Sequence, residues 1–197
     1  MLIPRTIFFL ALLLLARSDV AERNTAAICE FFQHVQALQD DQWEDSVNLM
    51  KRLLGEMVTA LLPYPEYGEY KDTMLAYLER GKAIVRSSSM QEKIAYFRGF
   101  NEGGDQPMLT GSPAKKEELT RPLINFRSNM IMNVYTELHK KLIKAADELE
   151  RVVSFSDNLS RGEPFILLDH YRKEGMGVLT ENIATRILEF KELYQCV

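Results

Sequence analysis

The chain has 197 residues, with 24 Lys and Arg against 28 Asp and Glu and a formal charge of −4. That balance excludes the clustered basic footprint of a nucleic-acid binder, which needs Lys and Arg without equal numbers of carboxylates beside them. The length suits a single domain that builds its own core without the dense disulfides of a miniature scaffold.

The N-terminus places Arg5 ahead of an uncharged run, Thr6 to Ala16, and then Ala16-Arg17-Ser18-Asp19. A basic start, a short apolar stretch and small residues before a cleavage position describe a secretory signal peptide, residues 1–18, and predict a mature domain of 19–197. The apolar run falls short of the roughly 20 residues a bilayer core requires, and charges interrupt every later apolar segment, so no transmembrane segment is expected after cleavage. Cleavage removes Arg5 and Arg17 and no carboxylate, taking the formal charge from −4 to −6.

Only two cysteines are present, Cys29 and Cys196. In an oxidising compartment they are expected to form one disulfide tying the terminal helices together. A loop of this length would stabilise by up to about 5 kcal/mol in the chain-entropy treatment.

In chain order, a first helix carries Ile28, Phe31 or Phe32, Val35 and Leu38 on one side, with Asn24 or Thr25 as its cap. A second begins at Asp41, whose spacing to Glu44 reads as a capping box. Its apolar residues Trp43, Val47, Met50, Leu54, Met57 and Leu61 step by four and three along one face until Pro63 and Pro65 stop it. A third spans Tyr70 to Ile84, with Gly81 as a weak point. Ser89 and Glu92 form a capping box that opens a short helix through Ile94 and Phe97.

Residues 101–118, with three glycines and two prolines, read as a long flexible loop. The longest helix follows, with Thr120 as cap and Pro122 in its first turn, presenting Leu123, Phe126, Met130, Ile131, Val134, Leu138, Leu142, Ala145, Leu149 and Val152. A turn-rich break at 156–163, a short helix from Phe165 to Lys173, and a last helix bearing Ile183, Ile187, Phe190 and Leu193 or Tyr194 complete the chain. No segment alternates with the two-residue period of a strand. The expected fold is all-α, an antiparallel helical bundle of five to seven helices, dominated by segments 42–62, 121–154 and 177–195.

The residues that carry chemistry are sparse. His34, His139 and His170 sit in no metal-ligand spacing. Asp169-His170 with Ser154 or Ser156 lacks the elbow that presents a catalytic nucleophile. Gly175-Met176-Gly177 is a helix stop and start, since a dinucleotide fingerprint needs a third glycine and a preceding strand. No enzyme activity, cofactor or metal is therefore expected.

Three features point elsewhere. The turn containing Tyr64, Tyr67 and Tyr70 spaces amphipathic rings by three, as a recognition patch would. Met50, Met57, Met74, Met130 and Met132 supply adaptable apolar surface. Asn158-Leu159-Ser160 is a glycosylation acceptor. In outline a secreted helical chain closed by a terminal disulfide resembles the helical cytokines, a likeness of architecture that assigns no residue a role. The expected function is extracellular protein–protein interaction; the second reading is a carrier of a small apolar or lipid ligand between amphipathic helices.

Overall fold

The computed structural model describes residues 5–102, 112–153, 169, 172–173 and 183–196, with backbone alone for 5–22, 101–102, 131 and 183. The chain is all-α, and no strand occurs among the described residues. It forms two compact units, one of residues 39–138 and one of residues 1–38 with 139–197.

Helix α1, Arg5–Leu61, runs unbroken through both the expected cleavage position after Ser18 and the expected start at Asp41. The two-helix reading of this stretch is corrected. No glycine or proline lies between Arg5 and Leu54, so nothing there stops a helix once it has begun. Asp41 is paired instead with Arg86 at 3.6 Å.

In the unit of residues 39–138, all six stripe residues from Trp43 to Leu61 are buried. Trp43 to Met57 pack with Met74 of α2 (Gly68–Lys82) and with Tyr96 and Phe97 of α3 (Met90–Glu102), whereas Leu61 packs with Tyr67 and Leu119. Trp43 meets Phe97 edge to face, with ring centroids 5.9 Å apart. Met50, Met57, Met74 and Met130 belong to this core, whereas Met132 is exposed. The Ser89–Glu92 capping box forms reciprocally: Ser89 N donates to Glu92 Oε2 at 2.7 Å, and Glu92 N donates to Ser89 Oγ at 3.3 Å.

Helix α4 spans Pro113–Asn129, so residues 113–118 are helical where a loop is expected. Ser112 is the cap, its side chain accepting from Lys115 N at 3.3 Å, and Pro113 takes the first helical position, where a missing N–H costs nothing. Thr120 is accordingly not the cap, and its hydroxyl donates back to Lys116 O at 2.9 Å. Pro122 lies inside the helix and is buried. The loop residues 103–111 lie outside the described residues.

A π-helical segment, Met130–Tyr135, joins α4 to α5, Thr136–Val152. The sequence spacing accounts for it. Pro122, Phe126, Met130, Val134, Leu138 and Leu142 are buried or partly buried and step by four throughout. In an α-helix each such step runs ahead by about 40°, which would carry the stripe round to the far side. A π turn closes i→i+5 bonds and takes in more residues per turn, which returns the stripe to one face. Past the segment the face ends on Val153, while Val152, an expected member, is 66% exposed.

In the other unit, α1 buries Ile28, Phe31, Phe32, Val35 and Leu38, and α5 buries Leu142, Ala145, Ala146 and Leu149. Truncating a residue such as Leu142 to Ala in such a core costs about 2–5 kcal/mol. The expected last helix is described from Ile183, as α6 (Ile183–Leu188) and then a 3₁₀ turn, Lys191–Tyr194. Ile187 is buried, Leu193 is exposed, and Tyr194 packs on Phe32 with centroids 5.7 Å apart. Cys29 and Cys196 are disulfide-bonded, with Cα atoms 5.1 Å apart. Among the described residues no helix is long and apolar enough to cross a membrane.

Candidate functional site

The tyrosine-rich turn follows from the chain stop at Pro63 and Pro65. A 3₁₀ turn, Pro65–Tyr67, carries the chain from α1 into α2 and brings Tyr64 and Tyr67 together at 73°, with centroids 6.4 Å apart. Into the angle between them comes Lys115, from the first turn of α4. Its ammonium stands 4.5 Å from the Tyr64 centroid and 4.7 Å from that of Tyr67, within cation–π reach of both. The same ammonium donates to the Glu66 carboxylate, and Tyr64 Oη donates to Glu118 Oε2 at 2.7 Å.

The electrostatics are mutually consistent. The bond from Lys115 holds the Glu66 carboxyl below its ordinary pKa, and the bond to Glu66 raises that of Lys115. Tyr64 is raised chiefly by its bond to the Glu118 carboxylate. Tyr67 is buried, and Tyr70 is raised by burial where it packs against the aromatic and apolar residues of its unit. Sequence reasoning singled out the three rings but missed Lys115, Glu66 and Glu118. A lysine in the first turn of a helix, where the dipole disfavours cations, is the signal that could have found the first.

Beside this turn an open groove of about 710 Å³ lies between α1 and α4, bordered by Arg52, Glu56 and Thr59 on one side and Glu118, Arg121 and Asn125 on the other. Gly55, Ala60 and Pro122 also line it. A β-carbon built on Gly55 meets nothing within 4 Å, so this mid-helix glycine answers to no close approach inside the molecule. Ile124, 62% exposed, stands one turn beyond Arg121 on α4, and Leu62, 64% exposed, follows the end of α1.

A second groove, of about 550 Å³, lies in the other unit between α1 and α5. Its apolar surface comes from Ala27, Phe31, Ala145, Leu149 and Val152, and its polar residues are Glu30, Gln33, His34 and Glu148.

His139 has its Nδ1 buried without a hydrogen-bond partner, and that desolvation lowers its pKa. Asp169 is held by Arg172, whose guanidinium also meets Asp147 and Glu150, with all three carboxylate oxygens at 2.6–2.7 Å. His170, Ser154, Ser156 and the glycosylation acceptor Asn158 lie outside the described residues. No group of three or more His, Cys, Asp or Glu among the described residues could hold a metal ion.

Among the described residues the chain is all-α, with a disulfide between Cys29 and Cys196 and an open groove in each unit. Compared with family models, curated proteins and solved structures, it matches none.

Proposed function

We propose that this chain is a secreted, non-enzymatic helical protein that acts by binding another extracellular protein along the α1–α4 groove. In this reading residues 1–18 are removed as a signal peptide, Asn158 carries a glycan, and the helices assemble as an antiparallel bundle. The observation that carries it is Gly55. A glycine within a helix costs about 1 kcal/mol relative to alanine, and here no internal contact asks for one. Close approach of an outside chain to the α1 backbone is the remaining use, and the charged and apolar residues bordering the groove suit a protein partner.

The α1–α5 groove supports the second reading, a carrier of a small apolar ligand, because Phe31, Leu149 and Val152 give it apolar surface. One experiment separates the two. A photo-crosslinker at Arg52 of the full chain, irradiated in native extracellular fluid, should yield a single protein adduct that Gly55→Trp abolishes. If native mass spectrometry instead finds a small ligand and no adduct forms, the carrier reading replaces the first.

A further inference from the structure

We propose that the tyrosine turn is a binding site for organic ammonium ions, with Tyr64, Tyr67 and Glu66 as an aromatic cage and Lys115 as its built-in occupant. The proposal stands on the geometry of the turn and not on what either groove binds. Two rings converge on one point, and the structure places an ammonium there, 4.5 and 4.7 Å from the two centroids. Recognition of quaternary ammonium groups uses this arrangement of aromatic faces around a cation.

The corner is also charged for a cation. Glu66 contacts the ammonium directly, and Glu118 sits one hydrogen bond away through Tyr64 Oη. Glu66 thus faces the cation, and Glu118 lies beyond the Tyr64 hydroxyl. The Lys115 side chain is 18% exposed and that of Glu66 is 52% exposed, so the cage opens to solvent on the carboxylate side.

Lys115 is poorly placed on its own helix. It is the third helical residue after the Ser112 cap of α4, whose first turn holds no acidic residue. There the exposed N–H groups and the helix dipole repel a cation. The lysine is thus held by the cage and not by its own helix. A trimethylammonium group would replace its contact with the rings and its attraction to Glu66 without needing a donated hydrogen bond. The flanking carboxylates repel phosphate, so the ligand is a free cation and not a phosphocholine headgroup.

The test uses the full chain and tetramethylammonium as probe, followed by the ring resonances of Tyr64 and Tyr67. Lys115→Met keeps the aliphatic stem and removes the internal cation. It should bind tetramethylammonium saturably, at least tenfold tighter than the wild type, and a further Glu66→Gln change should weaken that binding severalfold. Choline should behave like tetramethylammonium, whereas phosphatidylcholine vesicles should not bind. A folded Lys115→Met chain that binds no better than wild type overturns the cage, and vesicle binding overturns the free-cation assignment. Should Lys115→Met lose its helicity, the wild type decides. Its two ring resonances must move with tetramethylammonium and not with sodium at equal ionic strength, and failure to do so overturns the proposal.

Discussion

Tyr96 of α3 occupies the place where a β-carbon on Gly81 of α2 would stand, its Cζ 2.7 Å from that point and its Oη closer still. The relationship is reciprocal, since Tyr77 of α2 lays its Oη 2.5 Å from the β-carbon position of Gly99 on α3. The two rings are 5.7 Å apart, and Tyr96 Oη donates to Tyr77 O at 3.3 Å. Two glycines thus let two helices carry their tyrosines across one another.

Gly81→Ala should therefore destabilise. Helix propensity favours alanine by about 1 kcal/mol, but displacing a buried ring costs about 1–3 kcal/mol, and the ring decides the sign. Urea denaturation should show a lower midpoint; a raised midpoint would mean that Tyr96 moves aside freely.

Gly55→Ala should do the opposite. With nothing within 4 Å of the new methyl group, the substitution should stabilise the chain by about 0.5–1 kcal/mol. The same denaturation series provides the contrast with Gly81, and a destabilised Gly55→Ala would reveal a constraint on the α1 backbone.

Lys93 is buried on α3, with Nζ 3.0 Å from Glu44 Oε2 and donating to Arg86 O at 2.9 Å. Lys93→Met leaves a carboxylate and a carbonyl without their cation and should cost about 3 kcal/mol. Adding Glu44→Leu should recover part of that loss, because it removes the stranded charge. Equal stability of the single and double variants would show that Glu44 is solvated once Lys93 is gone.

Alkaline pH should weaken the fold through Tyr96, whose pKa burial pushes up to about 12. Above the ordinary value of 10.0 the unfolded chain loses this proton while the folded chain keeps it, so stability falls as pH rises from about 10 to about 12. Tyr96→Phe should flatten that decline. An unchanged slope in a pH series of urea midpoints would assign it to other groups.

The α1 stripe from Trp43 to Leu61 was fully legible, because its alternating steps of four and three fit an α-helix without adjustment. So was the Ser89–Glu92 box, whose two bonds are local in sequence. Asp41–Glu44 has the same signature and forms no cap, since a helix that is already under way offers no orphan N–H groups there. Thr120 and Pro122 carry the same start signal as Ser112 and Pro113, yet the helix opens at Ser112, and by Thr120 it is already under way. The π segment was visible only as an unbroken run of four-residue steps. Of the candidate site, the rings of Tyr64 and Tyr67 could be read locally. The partners of Lys115 could not, because its contacts reach across 49 residues to Glu66.

The Cys29–Cys196 bond closes a circuit in which 167 positions separate two residues whose Cα atoms are 5.1 Å apart. Tension applied between those ends would run through the sulfur bridge, leaving the helices between them unloaded. The same closure makes residues 29–196 a covalent loop, so a single cut within it would leave both pieces joined.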